Sequence, residues 1–283
     1  MNHPLAFVLI TRPGNVVLAG LSITIAAALV RADLRCLTIW CAVASGMLIT
    51  AGANVINDIF DLDIDRINKP RRILPAGRMT LRAARLYTII LLACGVIFSI
   101  FAGIFAAFIA LSSALLVVAY SKWLKRRPLI GNLVVSLVTA LAFIFGALAA
   151  CAETMRWQSG LFPAVFAFMM HFGREVVKDI EDQIGDHALL ARTLPLAYGV
   201  GAAQIAASLA FALLLLVVLI PAWRGVYHAP YLWVILLGVY PVLLFAIWQV
   251  WRHPAPRQMR FTSNLLKVDM LIGLLAIWLG TQR

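Results

Sequence analysis

Asn57, Asp61 and Asp65 stand four residues apart in series, and Asp182 and Asp186 repeat the four-residue step much later in the chain. On a helix each set falls along one face, drifting by about 40° per step. Carboxylates spaced in this way repel one another. A hard divalent cation with oxygen ligands removes that repulsion. Mg2+ takes one or two protein carboxylates and completes its shell with water and phosphate oxygens. These residues are therefore suited to holding Mg2+, with two ions around one diphosphate as the natural arrangement.

The surrounding residues extend this reading. Of the twelve acidic residues, Asp58, Asp61, Asp63 and Asp65 form one cluster, and Glu175, Asp179, Glu181, Asp182 and Asp186 form the other. Helical spacing turns Asp58 and Asp63 away from the Asn57–Asp61–Asp65 stripe, whereas Lys178 lies one turn before Asp182 on its stripe. After the first cluster runs Asn68-Lys69-Pro70-Arg71-Arg72, then Pro75-Ala76-Gly77-Arg78, where two prolines and a glycine fix a loop. Guanidinium groups bind phosphate oxygens in pairs, which suits Arg71, Arg72 and Arg78 to an anionic ligand. Lys122 and Lys125, within a second basic cluster with Arg126 and Arg127, and Arg174 beside Lys178 are further cationic candidates. His171, one turn before Glu175, reads as a packed or hydrogen-bonded residue rather than a catalyst.

These residues must be positioned by membrane helices. The chain is 63% hydrophobic and 13% charged, with a mean hydropathy of +0.94. No polar linker divides its 283 residues, which reads as one domain. Residues 36–57, 86–121, 128–152, 157–173, 193–223 and 229–251 carry no Asp, Glu, Lys or Arg. A helix needs about 20 apolar residues to cross a bilayer. The run 86–121 accommodates two spans turning near Gly103, another runs from Gly14 to Val30, and a last one covers Leu265 to Leu279 with Lys267 and Asp269 inside it. The expectation is an all-α membrane protein of about nine transmembrane helices, since backbone in lipid must satisfy its own hydrogen bonds.

With nine spans and an inner N-terminus, nineteen of the 24 Lys and Arg residues fall in inner segments, and only Arg31, Arg35, Arg156, Arg224 and Arg283 fall outside. Both acidic clusters then lie on the cytoplasmic side. The net charge of +12 is thereby explained as topology, and a nucleic-acid partner is set aside. No protein partner is implied. The four cysteines, Cys36, Cys41, Cys94 and Cys151, read as small apolar packing. Asp61 and Asp65 recur as Asp182 and Asp186 at one constant offset, and Arg72-Ile73-Leu74-Pro75 is echoed by Arg192-Thr193-Leu194-Pro195. This predicts two similar four-helix halves, roughly 12–125 and 128–251, with a final helix over 262–280.

Taken together, Asn57, Asp61 and Asp65, then Asn68-Lys69-Pro70-Arg71-Arg72 and Pro75-Ala76-Gly77, resemble the first signature of the UbiA superfamily of intramembrane prenyltransferases. Asp182 and Asp186 with Lys178 before them resemble the second, and Arg12-Pro13-Gly14-Asn15 and Gly131-Asn132 resemble further family positions. Ile73 stands where many members have proline. The resemblance implies two helical halves around an intramembrane chamber. It also implies two Mg2+ ions held by Asn57, Asp61, Asp65, Asp182 and Asp186, and a prenyl diphosphate held by Arg72, Lys178 and Lys122 or Lys125. Asn15 and Asn132 would face the polar end of the chamber. Catalysis would rest on Asp61, Asp65, Asp182, Asp186 and Lys178, with Arg174 as a further substrate contact.

The run from Gly173 to Asp186, continued by Arg192 to Pro195, is similar to the branch that alkylates geranylgeranylglyceryl phosphate from geranylgeranyl diphosphate. An aromatic acceptor such as 4-hydroxybenzoate, or a chlorophyllide, is the alternative within the family. Asp65, Glu175 and Asp179 are the candidates for taking the acceptor's proton. An ion-coupled transporter is the alternative of another class, and it predicts acids in the middle of spans rather than at helix ends. A site facing the cytoplasm in the inner membrane completes the expectation.

Overall fold

In a computed structural model, residues 4–30, 33–125, 127–150, 157–188 and 191–282 are described. Cys151 and the charges Arg31, Arg126, Arg156 and Arg283 lie outside them. Among the described residues the regular structure is entirely helical. Seven helical segments are long and apolar enough to cross a membrane: Leu37–Phe60, Leu81–Ile100, Ile104–Leu124, Ile130–Ala150, Val200–Trp223, Ala229–Arg252 and Pro256–Thr281. An eighth is obtained if α1 (Pro4–Ile10) and α2 (Pro13–Leu29), bent by 52° at their junction, count as one broken span. The expected count of nine is therefore not reproduced. The difference lies in α8 (Leu161–Glu181), whose last two turns carry Arg174, Glu175, Lys178, Asp179 and Glu181.

The chain divides into two compact units. The first comprises Met1–Lys125, Leu141–Gly160 and Ile184–Leu190. It contains α1, α2, α3 (Leu37–Phe60), α4 (Leu62–Asn68), α5 (Leu81–Ile100), α6 (Ile104–Ala119), the second half of α7 (Ile130–Ala150) and most of α9 (Gln183–Ala188). The tight link Phe101–Gly103 separates α5 from α6, as the sequence predicts. Helix α3 packs on α5, where a Cβ on Gly95 would meet the backbone O of Ser45 and N of Ile49, each at 3.2 Å. Without an apolar driving force between helices in lipid, such small residues permit the close packing that holds them.

Two apolar clusters fill this unit. One joins Ile23, Ile39, Val43, Ala106 and Phe145. The other joins Ile10, Val55, Ile73, Leu74, Met79 and Leu91, and so buries part of the basic loop after α4. Ile73, the departure from the family pattern, is thus a core residue that anchors the loop immediately after Arg72. Backbone bonds tighten the same loop: Arg72 N donates to Lys69 O, and Ala76 N donates to Arg72 O, both at 3.0 Å.

The second unit comprises Arg126–Ala140, Leu161–Gln183 and Ala191–Arg283. It holds the first half of α7, α8, α10 (Leu194–Tyr198), α11 (Val200–Val217), α12 (Ile220–Trp223), α13 (Ala229–Val234), a π-turn over Ile235–Val239, α14 (Tyr240–Arg252) and α15 (Pro256–Thr281). Helix α8 packs against α11, where Gly173 lies under the ring of Phe211. It is also tied to α15, since Arg174 Nε donates to Ser263 O at 3.1 Å and Arg260 Nε donates to Glu181 Oε1 at 2.9 Å. Asp269 sits on the buried side of α15 with no exposed surface.

Candidate active site

The first acidic motif is carried across a kink. Helix α3 ends at Phe60, Asp61 adopts φ −90° and ψ 1°, and α4 begins at Leu62. The four-residue ladder survives this kink: Asp61 N donates to Asn57 O at 2.9 Å, Asp65 N to Asp61 O at 2.7 Å, and Lys69 N to Asp65 O at 2.9 Å. Asn57, Asp61 and Asp65 therefore keep the shared face that their spacing predicts. Asp61 and Asp65 are buried, at 5% and 2% exposure.

Each carboxylate is matched by a cation from elsewhere in the first unit. Asn57 Nδ2 donates to Asp61 Oδ2 at 2.9 Å. Lys125 Nζ donates to Asn57 Oδ1 at 3.1 Å and forms an ion pair with Asp61 Oδ2. Arg72 Nη1 donates to Asp65 Oδ2 at 2.5 Å and lies 3.4 Å from Asp58 Oδ1. Asp58, 3% exposed, also pairs with Arg12. The reading that turns Asp58 away from the site is corrected on this point: it shares Arg72 with Asp65. Asp63 does face outward, where it meets the exposed Arg66.

Burial and charge compete over these groups. Burial pushes the Asp61 carboxyl up, but Lys125 outweighs it, with Arg72 and Arg12 behind, and holds Asp61 below the usual carboxylate value. For Asp65 burial prevails over Arg72, reinforced by the negative charges of Asp61 and Asp58, and the carboxyl is raised. Burial lowers the Arg72 guanidinium, yet Asp58 and Asp65 more than offset this and raise it.

Lys125 reaches Asp61 because α6 is followed by a π-turn over Tyr120–Leu124, in which Lys125 N donates to Tyr120 O. Lys122 is not brought to the carboxylates. It is exposed and lies over the Trp123 ring at 4.5 Å. Of the two lysines, Lys125 is the one that meets Asp61.

Asp186 belongs to the same unit as the first motif. It is buried in α9, where Gly185 N donates to Asn68 Oδ1 at 3.0 Å. Asp182 lies in the second unit at the bend after α8, with its N donating to Lys178 O. In that unit Lys178 Nζ donates to both oxygens of Glu175 at 2.8 Å, and Arg174 Nη1 donates to Glu175 Oε1 at 3.1 Å. His171 Nε2 is 3.8 Å from the same oxygen. Glu175 therefore serves as the counter-ion of two cations, which argues against it as a base. Arg174 is buried and engaged with Glu175 and Ser263 O, so its geometry is that of a link between α8 and α15. Asn132 donates to Asp179 Oδ2 at 2.9 Å, while Asn15 donates to Asn54 Oδ1 at 3.3 Å. Asn54 itself, absent from the sequence-level candidates, donates to Thr11 O at 2.8 Å.

Among the described residues no three His, Cys, Asp or Glu side chains gather closely enough to hold a metal ion by themselves. The donor set nevertheless suits a hard divalent cation: buried carboxylate and amide oxygens, with Arg72 and Lys125 beside them as donors to phosphate oxygens. Mg2+ shares its shell between one or two carboxylates and a substrate phosphate, so a preformed cage is not needed.

Buried aspartates and paired cations at the end of a membrane-length helix suit a membrane enzyme that handles a phosphorylated substrate. The chain belongs to the UbiA prenyltransferase family, which matches residues 16–271. It is 34% identical over 281 residues to digeranylgeranylglyceryl phosphate synthase of Methanothermobacter thermautotrophicus, covering 97% of this chain and 95% of that protein. It is similar to a solved structure of a digeranylgeranylglyceryl phosphate synthase, with a TM-score of 0.75, 29% identity and 97% of each chain covered. It shares the fold of a UbiA homologue from Archaeoglobus fulgidus bound to GPP and Mg2+, with a TM-score of 0.70, 17% identity, and 96% and 99% of the two chains covered.

Proposed function

We propose that the chain transfers a geranylgeranyl group from geranylgeranyl diphosphate to the glycerol hydroxyl of geranylgeranylglyceryl phosphate, with Mg2+ as cofactor. The observation that carries this reading is the alternation of buried acids and cations at the end of α3: Lys125 on Asp61, and Arg72 between Asp58 and Asp65. The relatives named above support the choice of acceptor, and the Mg2+-bound homologue supports the choice of metal.

In this reading Asn57, Asp61, Asp65, Asp182 and Asp186 hold two Mg2+ ions. When bound, these supply Lewis-acid stabilisation of the charge that develops on the departing diphosphate. Lys125 and Lys178 turn from their carboxylate partners, and Arg72 turns from Asp65, to the diphosphate oxygens and stabilise the same charge. The allylic C–O bond breaks and its electron pair leaves with the diphosphate. The acceptor oxygen forms the new ether bond to the allylic carbon, and its hydroxyl proton passes to a carboxylate. The candidates for that proton are Asp65 and Asp179, since Glu175 is engaged with Lys178 and Arg174. Apolar helices exclude the water that would otherwise quench a carbocation-like transition state.

Counting α8 and the broken α1–α2 pair as spans gives nine transmembrane helices, in halves of 12–125 and 128–251 with a last helix over 262–280. The charge bias supports a site on the cytoplasmic face of the inner membrane. The test is to incubate purified protein with geranylgeranyl diphosphate, Mg2+ and a panel of geranylgeranylglyceryl phosphate, 4-hydroxybenzoate and a chlorophyllide, with products read by mass spectrometry. An ether lipid is the expected product. A prenylated aromatic or chlorophyllide would overturn the acceptor assignment, and no prenylated product at all would overturn the reaction.

A further inference from the structure

The junction between α1 and α2 is held in an unusual conformation. Arg12 has φ 54° and ψ 73°, the left-handed region, directly before Pro13. A residue with a Cβ adopts this region at a cost and remains there where its surroundings impose it. Two residues one turn apart on α3 impose it here. Asn54 donates to the backbone O of Thr11 at 2.8 Å and accepts from Asn15 at 3.3 Å. Asp58 Oδ1 then receives Arg12 Nη2, and the same oxygen lies 3.4 Å from Arg72 Nη1.

Two guanidinium groups thus converge on one buried carboxylate oxygen. Their mutual repulsion is offset by two carboxylates, since Arg72 Nη1 also donates to Asp65 Oδ2 at 2.5 Å. Asp58 is not among the residues assigned to Mg2+. Its carboxylate therefore stays with the arginines when Asp65 changes partners.

We propose that Asp58 is a positioning residue that holds Arg12 and Arg72 side by side, and that Arg12 is thereby a further diphosphate-binding residue delivered by the broken first helix. This rests on the diphosphate reading given above. Asn54 fixes the backbone from which Arg12 extends. Asp58 supplies the single anchor that keeps both guanidinium groups on the same ligand.

The test uses full-length protein in detergent with Mg2+ and geranylgeranyl S-thiolodiphosphate, a slowly reacting analogue. Asp58→Asn, Arg12→Gln and the double variant are compared with Asp63→Asn, which removes an equivalent charge from an exposed pair. Melting temperature, analogue binding and backbone hydrogen exchange over residues 11–16 are read for each. Asp58→Asn and Arg12→Gln are each expected to weaken binding by about tenfold, as loss of a charge-assisted hydrogen bond does. The double variant is expected to bind no worse than the weaker single one, and exchange over residues 11–16 to rise in both single variants, since each removes the Asp58–Arg12 pair. In turnover, kcat is expected to fall as well as KM to rise, since the same cations stabilise the charge that develops on the departing diphosphate. Binding by Asp58→Asn equal to that of Asp63→Asn, or strictly additive losses, overturns the proposal. If Asp58→Asn does not fold, Arg12→Gln decides, and wild-type affinity in it is equally fatal. Loss of binding in Asp61→Asn with none in Arg12→Gln removes only the role of Arg12 and Asp58. Absence of analogue binding by wild type removes the diphosphate reading, and this inference with it.

Discussion

Asn68, the last residue of α4, accepts the backbone N–H of Gly185 in α9 at 3.0 Å, across 117 residues of sequence. This bond ties the helix that bears Asp186 to the helix that bears Asp65. The fit is close: a Cβ on Gly185 would lie 2.4 Å from Asn68 Nδ2. Registration of one acidic motif against part of the other is thus set within the first unit by an amide and a glycine.

Gly185→Ala tests that link. The added methyl group must push Asn68 aside, and overpacking of this kind costs about 1–3 kcal/mol. The melting temperature and turnover are both expected to fall. Asn68→Ala added to Gly185→Ala makes room for the methyl group and is expected to recover most of the melting temperature without recovering turnover. An unchanged melt in the single variant would show that the Gly185 backbone and the Asn68 side chain are not in contact.

The two lysines after α6 separate cleanly. Lys125→Met removes the partner of Asp61 and is expected to lower turnover by about 100-fold, the order found when one transition-state donor is lost. Lys122→Met removes an exposed side chain stacked on Trp123 and is expected to leave turnover within about twofold, as surface changes usually do. Steady-state assays on the two variants decide, and equal losses would contradict the geometry.

Ligand binding is expected to stabilise the fold. Mg2+ together with geranylgeranyl diphosphate at about 100 times its dissociation constant adds about 2.7 kcal/mol by mass action. The thermal shift is expected to vanish on chelation and to be lost in Asp61→Asn. A shift of the same size in that variant would remove Asp61 from the metal assignment.

The pH dependence of the chelated protein follows from Asp61. Its carboxyl is held below the ordinary value by Lys125, so its contribution to stability is complete above the usual carboxylate range and fades as pH falls through the lowered value. Asp65, raised, works in the opposite sense: its protonation on mild acidification favours the folded state. Asp65→Asn is therefore expected to lose stability monotonically on acidification, whereas wild type holds or gains slightly first. Melting curves across the carboxylate pH range read the difference.

The sequence exposed what depends on composition and short-range spacing. The apolar runs gave the positions of α3, α5, α6 and α7 with the turn at Gly103, and the four-residue steps placed Asn57, Asp61 and Asp65 on one face through the kink at Asp61. Contacts made across the fold were hidden. Asp58 looked misdirected because its partners, Arg12 and Arg72, arrive from a bent helix junction and a folded loop. Ile73 looked like a departure from a pattern, yet its side chain is a core anchor. Lys122 and Lys125 could not be told apart, because a regular α-helix would have given a different facing from the π-turn that is present. Asn68 and Gly185 are too far apart in sequence for spacing to relate them.

The π-turn at Tyr120–Leu124 has a consequence for how this chain can vary. Each residue advances a helix by about 100°, so the wider turn sets the angle at which Lys125 emerges. Removing one residue here would restore ordinary winding while swinging the ammonium group away from Asp61, and inserting one would swing it away in the other sense. Although the stretch lies at a helix end, where length changes are usually tolerated, its residue count is as constrained as the identity of the lysine.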